Sequence, residues 1–127
     1  MKPPTEYEIQ VRLMSMIQRI EIDRGEPFLR TATQGGVRVS PGTAAKMKRS
    51  GYKKGTPDIL FFEPSACGSY HGLAIELKTM KGRPSPEQLE WIDKLNQRGW
   101  KAVVSKGFDA TAEIICEYFG VGMPPFS

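Results

Sequence analysis

The chain has 127 residues, of which 39% are hydrophobic and 25% charged, and its formal net charge is +4. This length suffices for one core, so we expect residues 1–127 to form a single domain. The longest wholly apolar run, residues 59–62, is far too short to cross a bilayer, and the amino-terminal residues lack the apolar segment of a signal peptide, so we expect a cytoplasmic protein without membrane contact.

The first half of the chain is predicted to contain a helix, a strand, a loop and a second helix. Residues 5–22 carry a helical apolar stripe that begins with a capping-box pattern. Residues 28–33 are predicted to form a short strand. Residues 34–42 contain three glycines and a proline, which favours a loop, and residues 43–49 are predicted to form a short basic helix.

The second half adds three strands and two helices. We predict strands at residues 58–62 and 73–78, joined by a turn-rich segment. Residues 85–98 form a predicted helix with a serine cap and a proline in its first position. A strand at residues 100–105 and a helix at residues 110–119 complete the chain. This order predicts an α/β fold in which a small mixed β-sheet is flanked by α-helices.

Two polar residues interrupt the apolar stripes of predicted helices. At about 100° per residue, Glu6 lies at the centre of the stripe of the first helix, and Gln88 does the same in the helix at residues 85–98. Both lie in first turns, where stripe residues are often half exposed and a carboxylate interacts well with the helix dipole. The pattern leaves a structural and a functional interpretation open for each residue.

A second group of polar residues lies on the predicted sheet. Alternation along residues 73–78 puts Glu76 and Lys78 on one face of the strand, while Asp58 opens the neighbouring strand directly after Pro57. A Glu-x-Lys alternation is common on a solvated face, and Pro-Asp is frequent in turns. Helices that cover the sheet would remove such a face from solvent, which favours a functional interpretation.

Two carboxylates about 4 Å apart repel by roughly 4 kcal/mol at an effective dielectric constant of about 20. One of them then takes up a proton, or a cation lies between them. Because the ligands are oxygens, the expected cation is Mg²⁺ or Mn²⁺. Lys78 would flank this ion and orient or deprotonate a water, or balance charge in the transition state. A divalent cation, carboxylate ligands and a nearby lysine are groups that take part in phosphodiester hydrolysis.

Positive charge is concentrated in two stretches, one just before the Pro-Asp pair and one just after Lys78. Such clusters suit phosphate groups, although most basic clusters are simply solvated faces. Tyr52 lies among the lysines of the first stretch and is a candidate for touching DNA. The predicted DNA-binding residues are Lys46, Lys48, Arg49, Tyr52, Lys53, Lys54, Lys81 and Arg83.

Other chemistries find little support. The single histidine, His71, excludes a histidine-rich zinc site and disfavours a histidine-dependent hydrolase. No Gly-Lys-Ser/Thr sequence follows the glycine pair at residues 35–36, so we expect no nucleotide cofactor. The two cysteines match no metal or disulfide spacing and are expected to be free thiols. We interpret Trp91 and Trp100 as core or helix–sheet contacts rather than platforms for bases.

Four stretches carry a family resemblance: EYEIQ at residues 6–10, KGTPD at 54–58, HGLAIELK at 71–78 and SPEQLEW at 85–91. Their order, G-x-PD, then E-x-K, then S-x-x-Q, resembles the virus-type replication-repair nuclease (VRR-NUC) domain of the PD-(D/E)XK nuclease superfamily. The resemblance extends over residues 5–118 and implies a restriction-endonuclease-like core.

The resemblance also implies roles for individual residues. Lys78 would be the catalytic lysine, the Leu77 carbonyl an additional metal ligand, Glu6 a support for the metal's water shell, and Gln88 a group that positions Lys78 or the attacked phosphate. By this resemblance the catalytic residues are Lys78, Glu76, Asp58, Gln88 and Glu6. The metal ligands are Asp58, Glu76, Leu77 and Glu6, and the metal is Mg²⁺, for which Mn²⁺ substitutes.

Stand-alone members of this family, often phage-borne, resemble Holliday-junction resolvases and act as homodimers on branched DNA. We therefore expect a metal-dependent, structure-specific DNA endonuclease that forms a homodimer. Residues 28–42 and 121–127 are both candidates for the dimer face. Two alternatives remain: a non-cutting module that binds branched DNA, and a sequence-specific restriction-type endonuclease of the same superfamily.

Overall fold

The computed structural model describes residues 2–33 and 39–124, and their elements follow the predicted order. They are α1 (Glu6–Arg24), β1 (Arg30–Ala32), α2 (Pro41–Arg49), β2 (Ile59–Phe61), β3 (Leu73–Lys78), α3 (Pro86–Gln97), β4 (Lys101–Lys106) and α4 (Phe108–Phe119). Among the described residues, none of these helices has the length and apolar character needed to cross a membrane.

Helix boundaries follow from capping. The predicted capping box of α1 is present, since the Thr5 hydroxyl accepts from the Glu8 amide and the Glu8 carboxylate accepts from the Thr5 amide. The second helix begins at Pro41, two residues earlier than predicted, because Ser40 caps it and proline suits its first turn. The predicted loop at residues 34–42 is shortened accordingly, and its residues 34–38 lie outside the described part of the chain.

The four strands form one mixed sheet in the order β1-β2-β3-β4. The β1–β2 and β2–β3 pairs are antiparallel, whereas β3 and β4 are parallel and are connected through α3. A parallel pair needs such a crossover, because a tight turn cannot bring the chain back to the same end of the sheet. The predicted α/β architecture with a small mixed sheet is confirmed.

One face of the sheet supplies most of the hydrophobic core. Ile59 and Phe61 of β2, and Leu73, Ile75 and Leu77 of β3, are fully buried among apolar residues of α1 and α4. Burying an aliphatic side chain of this size stabilises the fold by roughly 1.5–3 kcal/mol. Helix α3 contributes no residue to this core and packs on β3 and β4 from the other face. That second face carries Ala74, Glu76 and Lys78.

Candidate metal and phosphate site

The β2–β3 register brings the two predicted metal-binding carboxylates together. Ile59 pairs with Ile75, so one step further along this antiparallel ladder Asp58 lies opposite Glu76. Side chains at directly opposite positions have Cβ atoms about 4.5–5.5 Å apart. The two carboxylates therefore lie opposite each other at the end of the β2–β3 hairpin that is farthest from its connecting segment.

Asp58 is held from both sides. The Thr33 amide donates to the Asp58 carbonyl, and the Thr33 hydroxyl donates to the carbonyl of buried Pro57, both at 2.8 Å. The carboxylate itself accepts from the Leu77 amide at 2.8 Å through Oδ2. Proline fixes its own φ and restricts the residue before it, so the approach to Asp58 is stiff. The Pro-Asp pair therefore works as a turn that fixes the direction of a carboxylate.

Glu76 is only 1% exposed, and its Oε1 atom has no hydrogen-bond partner among the described residues. Burial, and next the negative charge of Asp58, raise the pKa of Glu76 to about 8, while Lys78 opposes the shift. Leaving a buried acceptor unpaired costs about 1–3 kcal/mol, and more for a charged group. A hard cation between Asp58 and Glu76 would remove this cost, so the two carboxylates fit Mg²⁺ or Mn²⁺.

Lys78 completes the group of residues that the sequence predicted. Its Nζ lies 3.5 Å from Oε2 of Glu76, and its side chain is 12% exposed. The segment after β3 packs against the stem of Lys78, since a Cβ at Gly82 would lie 3.4 Å from both Cβ and Cδ of Lys78. The ammonium therefore lies beside the Glu76 carboxylate and is largely shielded from solvent.

A second lysine at this end of the sheet was not among the sequence candidates. The parallel β3–β4 register pairs Lys78 with Lys106, and paired residues point to the same face. Lys106 is exposed. The predicted strand ended at residue 105, and only the register of two strands separated by a helix shows which residue lies beside Lys78, so sequence reasoning had no signal for it.

Gln88 has a structural role, because it helps to cap the start of α3. It is the third residue of α3, where its Oε1 accepts from the Ser85 amide at 2.8 Å, while Ser85 Oγ accepts from the Gln88 amide. This capping box uses the side-chain oxygen and leaves the side-chain NH₂ for any contact with phosphate. The predicted positioning of Lys78 or phosphate by Gln88 stays a prediction.

The remaining predicted ligands are Glu6 and the Leu77 carbonyl. Glu6 is exposed in the first turn of α1. Within residues 2–33 and 39–124, no three or more His, Cys, Asp or Glu side chains form a group that could hold a metal, so Glu6 does not add a third carboxylate to Asp58 and Glu76. Indirect support through water, and ligation by the Leu77 carbonyl, stay predictions.

All eight predicted DNA-binding residues are exposed. Lys46, Lys48 and Arg49 lie in the last turn of α2. Tyr52, Lys53 and Lys54 follow in a segment that we call the basic turn. Gly55 holds this turn against α3: its φ is +94°, and a Cβ there would come 2.7 Å from the Glu87 carbonyl carbon. Lys54 also pairs with Glu87 at 3.5 Å, an exposed contact worth little by itself. The basic turn therefore sits next to the start of α3.

The two tryptophans differ from each other. Trp100 packs edge-on against Phe62 with ring centroids 5.6 Å apart, and its ring lies over Gly72, as expected for a structural contact. Trp91 is half-buried and outside the hydrophobic core, and its indole N–H donates to the Lys54 carbonyl at 3.0 Å. Trp91 thus joins α3 to the basic turn instead of packing in the core.

Comparison with known proteins agrees with this geometry. The family model described as "VRR-NUC domain" matches residues 8–109. A solved structure titled "VRR_NUC domain protein" is 34% identical, with a TM-score of 0.81, and the match covers 96% of this chain and 93% of that one. A search of the curated proteins gave no match. The matched model spans most of the chain and includes Asp58, Glu76 and Lys78, and the chain therefore belongs to the VRR-NUC family of nuclease-type domains.

Proposed function

We propose that this protein is a divalent-metal-dependent, structure-specific DNA endonuclease that hydrolyses phosphodiester bonds in branched DNA such as Holliday junctions. One observation carries the proposal: a buried carboxylate oxygen of Glu76 that has no hydrogen-bond partner in the described part of the chain, opposite Asp58 and beside the Lys78 ammonium. A carboxylate pair in which one pKa is raised to about 8 is costly to keep charged, and a functional site is where such a cost is expected.

Asp58 and Glu76 would hold the metal ion, with the Leu77 carbonyl and, through water, Glu6 as further support. Once bound, Mg²⁺ would polarise the scissile phosphate and lower the pKa of a water molecule. The donor set favours Mg²⁺ and Mn²⁺ over softer metals because its atoms are all oxygens. The Leu77 amide keeps the Asp58 carboxylate in place before any ion arrives.

Lys78 would act on the phosphate and on the attacking water. The Lys78 ammonium lies 3.5 Å from Glu76, and if the carboxylates held a metal ion it would donate to a phosphate oxygen or orient the water. The exposed Lys106 beside it would neutralise a neighbouring phosphate. The NH₂ group of Gln88 would donate to the phosphate or help fix Lys78.

The DNA would lie along the exposed basic residues that border the site. Those before Asp58 extend from α2 through the following turn, and Lys81 and Arg83 lie in the segment that follows β3. Phosphate contacts of this kind hold DNA in register without reading its sequence. A two-fold symmetric junction needs two active sites for paired cuts, which is why we also propose a homodimer.

A substrate panel tests the proposal. End-labelled four-way junction, flap and linear duplex are incubated with Mg²⁺, Mn²⁺ or EDTA, with Asp58→Ala as the blank and Lys101→Ala as a matched lysine control at the opposite end of β4. We expect cutting of branched DNA with either metal and none in EDTA. Cutting in EDTA, or full activity of Lys78→Ala, would refute the mechanism, and discrete bands from plasmid DNA would indicate a restriction-type enzyme instead.

Light scattering at the assay concentration tests the dimer. We expect twice the mass of the chain. A monomer that still cuts flaps would reject resolvase action while leaving the metal-dependent chemistry intact, and junction binding without cutting in any metal would favour the non-cutting module.

A further inference from the structure

Two cavities meet at Trp91. The first, about 340 Å³, is bordered by Thr33, Met47, Tyr52, Lys53, Thr56 and Trp91. The second, about 430 Å³, shares Lys53 and Trp91 and continues along α3 past Lys94 and Arg98. The indole ring therefore borders both spaces, and neither belongs to the carboxylate site described above.

The Trp91 ring and the Tyr52 backbone of the first cavity are fixed by hydrogen bonds. The indole N–H of Trp91 donates to the Lys54 carbonyl at 3.0 Å, which anchors one edge of the ring. Tyr52 is 37% exposed, and its amide donates to the Met47 carbonyl at 2.9 Å, at the end of α2. An anchored indole ring and a tyrosine on a fixed backbone border one open cavity, so a flat group can be received with little loss of backbone freedom.

The first cavity is tied to the carboxylate site through its threonines. Thr33 donates to the carbonyls of Asp58 and Pro57. Thr56 precedes Asp58 by two residues, which span at most about 7 Å of chain. Stacked DNA advances about 3.4 Å per nucleotide along a strand. A strand with a phosphate at Asp58 would therefore bring a base to this cavity within one or two nucleotides.

The charge of the residues that border the first cavity favours one kind of occupant. No acidic residue is among the described residues that border the first cavity, and Lys53 lies on its wall, four residues after the last basic residue of α2. A second copy of this chain would have to bring an acidic patch to this surface, whereas its net charge is +4. A nucleotide matches it, because the base is flat and uncharged and the phosphate is an anion.

We infer that an unpaired nucleotide next to the scissile phosphate stacks its base on Trp91 and Tyr52. This inference rests on the proposed function for the identity of the strand, and it specifies the substrate class. The preferred DNA has at least one nucleotide that is free to leave the double helix beside the cut, as in single strands, splayed arms and junction crossover points. Fully paired linear duplex would lack this contact, since its bases are already stacked.

The two tryptophans provide a matched fluorescence test. Trp100→Phe leaves Trp91 as the only tryptophan, and Trp91→Phe leaves Trp100. Each is titrated at fixed salt with a single-stranded oligonucleotide, a splayed arm and a blunt duplex, in EDTA and, in the Lys78→Ala background, with Mg²⁺. We expect the single-stranded and splayed DNAs to quench Trp91, the duplex to leave it unchanged, and Trp100 to respond to none of them.

Affinity provides a second readout that does not depend on Trp91. Tyr52→Ala should bind the single strand between about 5-fold and about 150-fold more weakly, the range that corresponds to loss of one base–aromatic stack. Tyr52→Phe keeps the ring and should bind like the wild type. Tyr70→Ala removes a tyrosine of nearly equal exposure, 36%, far from the cavity in sequence, and should also bind like the wild type.

The outcomes separate this inference from the proposed function. Equal quenching by duplex, quenching of Trp100 instead of Trp91, or unchanged affinity of Tyr52→Ala would overturn the stacking contact, even if the enzyme cuts DNA. A change in Trp91 emission on dilution without DNA would show a second protein copy in the cavity and would also overturn it. Quenching of Trp91 by a chain that never cuts would support the contact and refute only the catalysis.

Discussion

The two faces of β3 differ completely within six residues. Leu73, Ile75 and Leu77 are fully buried against α1 and α4. The opposite face carries Glu76, which is equally buried but has one oxygen without a hydrogen-bond partner among residues 2–33 and 39–124, and Lys78 beside it. The apolar face of β3 stabilises the sheet through its packing on α1 and α4. This stability compensates for the unfavourable charge arrangement on the other face, which a metal ion would relieve.

The largest expected effect is on catalysis and comes from the charged face. Replacing Lys78 with alanine should lower kcat/KM by about 10²–10⁴-fold, the usual contribution of a general acid–base or transition-state charge partner. Asp58→Ala should fall to the level of the uncatalysed blank. Single-turnover cleavage of a labelled junction measures both, and a loss below 10-fold in Lys78→Ala would contradict the role given to this face.

The apolar face should respond in stability instead. Ile75→Ala removes a fully buried side chain and should lower the free energy of unfolding by about 2–5 kcal/mol, whereas the matched Ile75→Val should cost about 0.5–1.5 kcal/mol. Urea denaturation followed by circular dichroism measures the difference. A cost for Ile75→Ala no larger than that for Ile75→Val would mean that this face is not the tightly packed one.

The sequence predicts the two faces of β3 but not everything that surrounds them. Alternation separates Ile75 from Glu76, and the Pro-Asp and Glu-x-Lys patterns identify the site, because strand periodicity and local turns are short-range properties. Lys106 and the cavity at Trp91 depend on the register of distant strands and on a turn packed against α3, which one chain's pattern does not encode. Gln88 shows a different difficulty, because its position in the sequence fits a helix cap as well as a role in the site, and the pattern alone does not distinguish the two.

A smaller effect should appear in the pH dependence of stability without metal. The pKa of Glu76 is raised from 4.5 to about 8, so between these pH values the folded chain binds a proton that the unfolded chain has lost. The wild type therefore loses stability as pH rises through this window. Glu76→Gln should be more stable than the wild type in EDTA at pH 8, by roughly 1–3 kcal/mol, and the gap should shrink towards pH 5.

Urea denaturation of both proteins at the two pH values checks this sign, and titrating groups that do not interact with Glu76 cancel because both chains carry them. Mg²⁺ added at pH 8 should stabilise the wild type and leave Glu76→Gln unchanged. A variant that is less stable than the wild type at pH 8 in EDTA would show that the folded protein stabilises the charged form of Glu76, which contradicts the raised pKa.

The smallest effect concerns Lys106. Lys106→Ala should weaken junction binding several-fold and lower the slope of log affinity against log salt by about 1, because one phosphate contact is lost. Lys101→Ala, at the other end of the same strand, should leave both unchanged. Fluorescence anisotropy at three salt concentrations measures the slope, and identical slopes for Lys106→Ala and the wild type would remove Lys106 from the phosphate path.

The most direct test of the charged face is metal binding itself, without DNA. Titration of the protein with Mn²⁺, followed by the paramagnetic resonance signal of the free ion, should show a saturable site that Mg²⁺ competes for. Asp58→Asn and Glu76→Gln should lose this site, while Glu113→Gln, an exposed control on α4, should keep it. Equal Mn²⁺ binding by all four proteins would contradict the claim that Asp58 and Glu76 share one ion.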